Sequence, residues 1–475
     1  MIIRQEILKD EIYSHFLNDP SNFVKVSNED LWSLEPAIVI QIQLEHLKKR
    51  FNYFFPRIKA LKKLATEQGI SRIETLEDIT PLLFTHTVYK SYPLSLIEKK
   101  CFHSLTQWLD KLTTHNLSII DTSNCNTIDE WLECLEQQSD LQVVHSSGTT
   151  GKLSFLPRSE SEMENFKNAF YLFIEVLTGV DGHVTNLPVF FPGYQNGRQL
   201  AQRVLGHYGP LLAGSQDEYH TAFPGFMSAD FMSLAGRVQA AKAKGELGKL
   251  QMIKAVTYNK GELLKLKRNR SKLLDQFFQN MIDNYQGKQV FLMGTFPTLI
   301  EAAFEGEKRG LNSIFAPNSA IVTGGGMKEK IYSEDWYERT CAFYGVKAIR
   351  DGYGMTETTG YMPSCEFNHY HIYPFLIPFV LDPQNGTPLP RIGSHTGRFA
   401  FYDLLTESYW GGFITGDEVT LHFTDQCNCG RKGPWLDKKI QRYSEKQNGD
   451  DKISCAGVQD AYDNFIDYLL ESLEE

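Results

Sequence analysis

An α/β fold, built of β-sheets covered by helices, is predicted by three observations. Apolar runs of strand length alternate with longer helical patterns between residues 184 and 351, the order expected of a sheet with helices packed on its faces. A helical stretch precedes that alternation. With 475 residues, 42% of them hydrophobic, the chain can bury a large core in more than one lobe.

The elements follow in order. Between residues 36 and 69, Leu44, Leu47, Phe51, Phe54, Ile58, Leu61 and Leu64 recur at spacings of three and four, the helical period. Residues 105–112 and 128–138 read as further helices, and 141–144 as a buried strand that leads into a loop. Downstream, strands at 184–191, 289–293, 320–323 and 348–351 alternate with helices at 261–285, 298–309 and 328–343. After Gly411 the texture turns polar and loop-rich, and an amphipathic helix at 458–473 ends the pattern. The division expected is a helical N-terminal region at 1–140, an α/β core at 141–448 and a short C-terminal piece at 449–475.

Charge narrows the function. Lys and Arg number 48 against 58 Asp and Glu, a formal net charge of -10, which argues against a chain that clamps nucleic-acid phosphates. The basic run Lys265-Leu266-Lys267-Arg268-Asn269-Arg270 falls in a helical pattern and reads as a solvated face. Residues 1–12 alternate charged with apolar positions and lack the uncharged core of a secretory signal. The densest apolar run, 374–381, is too short to span a bilayer. A cytoplasmic protein is expected, and its eight cysteines are then thiols or metal ligands rather than a disulfide framework.

The strand at 141–144 opens onto Ser146-Ser147-Gly148-Thr149-Thr150-Gly151-Lys152. Two glycines let backbone approach an anion, the hydroxyls and exposed N–H groups can surround its oxygens, and Lys152 adds a mobile positive charge. A Walker A loop needs a glycine where Ser146 stands and Ser or Thr where Leu153 stands, so an ordinary P-loop is excluded. By itself the segment reads equally as an anion cradle or as a surface turn. Two further segments bear on the choice. Asp351-Gly352-Tyr353-Gly354-Met355-Thr356-Glu357-Thr358 follows a strand and places a carboxylate beyond two glycines. Thr415-Gly416-Asp417 puts a second carboxylate in a tight turn.

Together the three segments resemble the core motifs of the adenylate-forming superfamily, which contains acyl-CoA synthetases, firefly luciferase and peptide synthetase adenylation domains. The resemblance implies the large N-terminal lobe of such an enzyme, with ATP and Mg²⁺ as cofactors. It makes Ser147, Gly148, Thr149, Thr150, Gly151 and Lys152 the phosphate cradle, Glu357 the Mg²⁺ holder and Thr356 a contact to the α-phosphate. Gly324, Gly325 and Gly326 resemble the segment against adenine, Tyr353 and Gly354 its other side, and Asp417 the ribose acceptor with Arg442 as helper. Such chemistry fits these residue types, because a carboxylate attacks the α-phosphorus in line and the protein must position two anions and offset charge on pyrophosphate. Each residue also has a plain reading: Glu357 as a helix cap, Asp417 as a turn brace, Tyr353 as core.

Leu153 and Ser154 stand where most members carry a Pro-Lys pair. That departure, with the opening that ends Leu83-Phe84-Thr85-His86-Thr87-Val88-Tyr89-Lys90 before Tyr92-Pro93, resembles the branch of phenylacetate-CoA ligases and of the acyl-protein synthetases that feed bacterial bioluminescent fatty acid reductase. In that branch Cys365, His371, Cys427 and Cys429 look like a tetrahedral zinc set, the alternative being reduced side chains in loops with His369 competing for the ligand role. Gly449-Asp450-Asp451-Lys452-Ile453 resembles the hinge of the family's mobile C-terminal domain, most of which is then expected to be missing. Cys455 stands near where acyl-protein synthetases carry an acyl group, and reads otherwise as a small buried thiol. The function implied is ATP-dependent activation of a carboxylic acid, fatty or aryl, with acyl transfer to a protein thiol. The alternatives are an acyl- or aryl-CoA ligase, and a catalytically silent nucleotide-binding homologue. A carrier protein or an acyl reductase is the partner expected, with no nucleic acid and no membrane span. The acid's pocket is expected at 190–195, at 294–299 and in the segment before Tyr353.

Overall fold

The computed structural model describes residues 13–146, 148, 151–179, 186–243, 245, 260–324 and 332–443. In chain order these form helices α1 (Pro36–Phe54), α2 (Lys59–Glu67), α3 (Phe102–Leu109) and α4 (Ile128–Gln138), then strands β1 (Leu141–His145) and β2 (Phe155–Ser159). Helix α5 (Glu160–Thr178), strand β3 (Val189–Gly197), helix α6 (Leu200–Ala213), strand β4 (Tyr219–Met227), helix α7 (Ala229–Ala243) and helix α8 (Lys260–Tyr285) follow. Next come β5 (Phe291–Thr295), α9 (Phe296–Lys308), β6 (Ala320–Gly324), α10 (Trp336–Tyr344) and β7 (Arg350–Tyr353). The described chain closes with β8 (Tyr370–His371), β9 (Leu376–Leu381), β10 (Ser394–Asp403), β11 (Gly412–His422), β12 (Trp435–Leu436) and β13 (Gln441–Arg442).

Two compact units result. The first joins Met1–Val143, Phe155–Val176 and Tyr353–Asn448; the second joins Val144–Ser154, Leu177–Gly352 and Gly449–Glu475.

The second unit holds the alternating elements. Its strands run parallel in the order β4-β3-β5-β6-β7, as crossover connections through helices require. Parallel strands are covered on both faces, which is why β5 and β6 read as nearly continuous apolar runs. Phe190 of β3, Phe277 and Met281 of α8, Leu299 and Ala303 of α9 and Tyr344 of α10 meet in one buried cluster. Each fully buried aromatic or large aliphatic side chain contributes about 1.5–3 kcal/mol relative to exposure.

The first unit is organised around an antiparallel sheet in the order β8-β12-β11-β10-β9, with the two-residue strand Phe84–Thr85 and β13 also pairing with β11. This corrects the expectation that the chain turns loop-like after Gly411. In the second half of β11, Val419 and Leu421 are buried while Glu418, Thr420 and His422 are half-exposed, the alternation of a strand with one solvated face. The run 374–381 contains β9, whose six residues are all buried. Long-range hydrogen bonds tie the helical opening to this sheet: Gln43 Nε2 donates to Pro374 O at 2.8 Å, Tyr89 Oη to Trp410 O at 2.8 Å and Trp410 Nε1 to Leu82 O at 2.8 Å. The helix expected at 458–473 lies outside the described residues.

Candidate active site

The loop after β1 is closed on itself. Ser146 N donates to Ser154 O at 3.1 Å, Ser154 N donates to Ser146 Oγ at 2.9 Å, and Gly151 N donates to Gly148 O at 2.8 Å. Gly148 has φ +69° and Gly151 φ +83°, the left-handed region that glycine enters without penalty. Helix α7 lies against this turn: a Cβ added to Gly236 would sit 2.0 Å from the carbonyl oxygen of Gly148. Only a glycine on α7 permits that approach, and nothing in the motif itself signals it. Lys152 is partly exposed; Ser147, Thr149 and Thr150 lie outside the described residues. Gly324 ends β6, and Gly325 and Gly326 lie outside the described residues.

The second and third motifs converge within the first unit. Tyr353 Oη donates to Asp417 Oδ2 at 2.7 Å, and Arg442 Nε lies 3.4 Å from Asp417 Oδ1. The β11–β13 register places Asp417 directly opposite Arg442, so strand pairing makes neighbours of two residues from different sequence segments. Thr415-Gly416-Asp417 is not the tight turn expected but an irregularity inside β11. Pairing with β10 steps from Ile414–Ala400 to Glu418–Arg398, so the Thr-Gly-Asp stretch bulges opposite Phe399. Asp417 N donates to Thr415 Oγ1 at 3.1 Å, which holds the bulge in shape. Burial and then the Asp417 carboxylate raise the Tyr353 phenol well above its usual range, so Tyr353 acts as a hydrogen-bond donor. Gly354 packs against Tyr361, whose ring would lie 2.2 Å from an added Cβ.

Glu357 is 9% exposed, and burial pushes its carboxyl up, opposed by its own backbone N–H and by the cations Lys90, Arg158 and Arg442. Its carbonyl accepts a hydrogen bond from Tyr409 Oη at 3.3 Å. Thr356 is partly exposed beside it. Arg158 and Tyr409 belong to no motif, and only the fold brings them here. Lys90 ends the Leu83-to-Lys90 segment, but nothing in that segment points to Glu357.

A separate cluster joins two loops of the first unit. The ligand atoms of Cys365, His371, Cys427 and Cys429 all lie within 4.8 Å of one another. Cys365 Sγ is 3.9 Å from Cys427 Sγ, and Cys429 Sγ is 3.2 Å from His371 Nε2. Tetrahedral zinc with bonds of about 2.0–2.3 Å spaces its ligands about 3.5–3.8 Å apart, so the donors fit in number, type and spacing. Burial, with Arg431 and His369 nearby, lowers His371 to about 3, which keeps its imidazole neutral and able to ligate. Burial raises the Cys427 thiol to about 12; a bound cation is what ionises such a thiol. His369 stacks on Trp435 at 4.0 Å and reaches Cys427 Sγ at 3.2 Å.

Of the expected acid-pocket residues, Phe190 is in the second unit's core, while Tyr194 takes a hydrogen bond from Arg270 at 3.0 Å. Arg270, read from the sequence as part of a solvated basic face, is in fact buried, its guanidinium 4.2 Å from the ring of Phe223. A Cβ added to Gly294 would meet Leu299 at 3.0 Å and Pro192 at 3.3 Å. Cys455 lies outside the described residues. Among the described residues no helix is long and apolar enough to cross a membrane.

The fold and these motifs define the class: the chain has the architecture of adenylate-forming ligases. It is similar to an open conformation of 2-hydroxyisobutyryl-CoA ligase in complex with 2-HIB-AMP and CoA, at TM-score 0.51 and 15% identity, over 86% of this chain and 70% of that one. It is similar also to the same ligase in the postadenylation state with R3-HIB-AMP, at TM-score 0.50 and 15% identity, over 85% and 67%. No curated protein matches the sequence. Residues 266–458 match the family model described as acyl-protein synthetase, LuxE.

Proposed function

We propose that the protein activates a carboxylic acid with ATP to the acyl-adenylate and passes the acyl group to a protein thiol. The observation that carries this reading is the convergence of Tyr353, Glu357, Asp417 and Arg442 in one unit, inside the stretch that matches the acyl-protein synthetases.

In this reading Asp417, oriented by Tyr353 and Arg442, accepts the ribose hydroxyls. Adenine is the base recognised by the ring of Tyr353 and by the segment Gly324, Gly325 and Gly326. The loop from Ser147 to Lys152 holds the β- and γ-phosphates, its glycines turning backbone N–H groups toward the oxygens. Thr356 contacts the α-phosphate. Glu357 holds Mg²⁺, which offsets negative charge on the phosphates when bound. The acid's own oxygen is the nucleophile, so the chain supplies position and charge rather than a covalent partner. Arg442 serves twice, since its cation also supports the ionised form of Glu357.

Cys365, His371, Cys427 and Cys429 hold zinc as a structural tie between two loops. Protein purified without added zinc is expected to contain about one zinc per chain, and chelation should lower its thermal midpoint. Absence of stoichiometric metal rejects the zinc assignment.

ATP–pyrophosphate exchange measured across fatty and aryl acids tests the first half-reaction. Acid-dependent exchange that is abolished in Lys152→Ala is expected. A chain that binds ATP yet shows no exchange with any acid would be a silent homologue, and the proposal fails.

A further inference from the structure

Arg158 stands on β2, shortly after the phosphate loop in sequence, and is fully buried at 0% exposure. A guanidinium stays charged at any physiological pH, so burying one is costly unless its N–H groups are matched. Nη2 donates to the carbonyl oxygens of Thr356 at 2.9 Å and Thr358 at 3.0 Å, and Nη1 donates to Thr359 Oγ1 at 3.3 Å. Among the described residues its Nε has no partner, so the burial is not optimised for stability alone. Arginine forks usually close on a carboxylate. Here two of the bonds grip the carbonyls of the residues on either side of Glu357.

The grip is itself anchored. Asp403, also 0% exposed, feels the charge of Arg158 and accepts hydrogen bonds from Thr359 N at 2.6 Å and Leu405 N at 2.9 Å. Buried Glu162 accepts from Ser159 N at 2.7 Å and from Glu407 N at 2.7 Å, so the residue after Arg158 and the chain after Asp403 are held together. The guanidinium lies 5.3 Å from the ring of Tyr409, whose hydroxyl donates to the carbonyl of Glu357. The carbonyls of Thr356, Glu357 and Thr358 are thus each fixed by a buried donor, which holds the backbone that carries the Glu357 side chain.

We propose that Arg158 is a positioning residue for acid activation: by holding the carbonyls of the residues before and after Glu357, it sets where that carboxylate meets the divalent cation accompanying ATP. The inference rests on the reading of Glu357 as the Mg²⁺ holder. A buried brace without this role would support folding and leave cation affinity alone.

The test is pyrophosphate exchange as a function of Mg²⁺ at saturating ATP and acid, with the full chain and the variants Arg158→Lys, Arg158→Met, Thr359→Val and Glu357→Gln. Loss of hydrogen bonds from a charged donor is worth about tenfold or more in affinity. Arg158→Met should therefore raise the half-maximal Mg²⁺ concentration about tenfold while leaving the KM of the acid unchanged. Arg158→Lys, which keeps the charge and loses the fork, should recover part of that shift, and Thr359→Val should give a smaller shift in the same direction. If Arg158→Met lowers only maximal exchange and thermal midpoint, with Mg²⁺ dependence unmoved, Arg158 is a brace and the inference is overturned. Should Arg158→Met fail to fold, unmoved Mg²⁺ dependence in both Arg158→Lys and Thr359→Val overturns it equally. Wild-type exchange and Mg²⁺ dependence in Glu357→Gln would instead overturn the reading of Glu357, and the inference with it.

Discussion

At Glu357 burial and the proposed function pull in opposite directions. Burial holds the carboxyl above its ordinary value of 4.5, whereas holding a cation requires it ionised. A carboxyl with a raised folded pKa binds its proton more tightly in the folded state, so it favours folding fully below the unfolded pKa and loses that contribution as pH rises through the folded one. Glu357→Gln should therefore melt above the parent at neutral pH without Mg²⁺, and the difference should shrink toward zero near about pH 4, where both side chains are neutral. The variant should also lose about a hundredfold or more in pyrophosphate exchange. Asp403 is raised as well, so the comparison between variant and parent, and not the parent's own pH profile, isolates Glu357. Equal melting midpoints at neutral pH would show that the site carries no ionisation strain. Glu357 and Asp417 stand out in the sequence because the chemistry proposed for them fixes residue type and spacing. Arg158 is not, since its role comes from carbonyls some 200 positions away, and a lone arginine after a strand carries no periodic or motif signal.

At the scale of elements, the seat that helix α7 makes for the loop after β1 is what the sequence conceals. An internal helix glycine replaced by alanine ordinarily gains about 0.5–1 kcal/mol. At Gly236 the added Cβ would meet the backbone oxygen of Gly148 at 2.0 Å, and a backbone atom cannot swing aside. Overpacking of this kind costs about 1–3 kcal/mol and outweighs the propensity gain. Gly236→Ala should thus lower the thermal midpoint and, if the loop after β1 holds phosphate as proposed, raise the KM for ATP, as that loop is pushed from α7. A higher midpoint with unchanged ATP dependence would mean that α7 does not seat the loop. Strand β11 is hidden for a different reason. Its solvated face and the bulge at Thr415-Gly416-Asp417 look like loop when read locally. It becomes a strand through its pairing with β10, β12 and β13, and such pairing leaves no local trace in the sequence.

Across the whole molecule, the alternation from α8 to β7 is legible because its strands and helices follow one another in sequence, whereas α6, β4 and α7 are not among the elements the sequence predicts. The place of the helical opening in the same compact unit as residues 353–448 is not, because it depends on bonds such as Gln43 to Pro374 and Tyr89 to Trp410 that span more than 300 positions. What the whole chain does with its activated acid is the remaining prediction. In the proposed reading the acceptor is a protein thiol and the alternative is CoA, and the two differ in a measurable way. An enzyme that keeps its acyl-adenylate until a protein thiol arrives should release about one pyrophosphate per chain from ATP and acid, then stop, because a tightly held product blocks further turnover. Adding CoA should leave that limit in place, whereas adding a thiol-bearing carrier protein or acyl reductase should restore steady turnover, with AMP released alongside pyrophosphate. The acyl group should then appear on the added protein in a bond that neutral hydroxylamine cleaves, as it does thioesters. Steady AMP release with CoA alone, matched by acyl-CoA, would make the chain a CoA ligase and reject transfer to protein while leaving the adenylation step untouched.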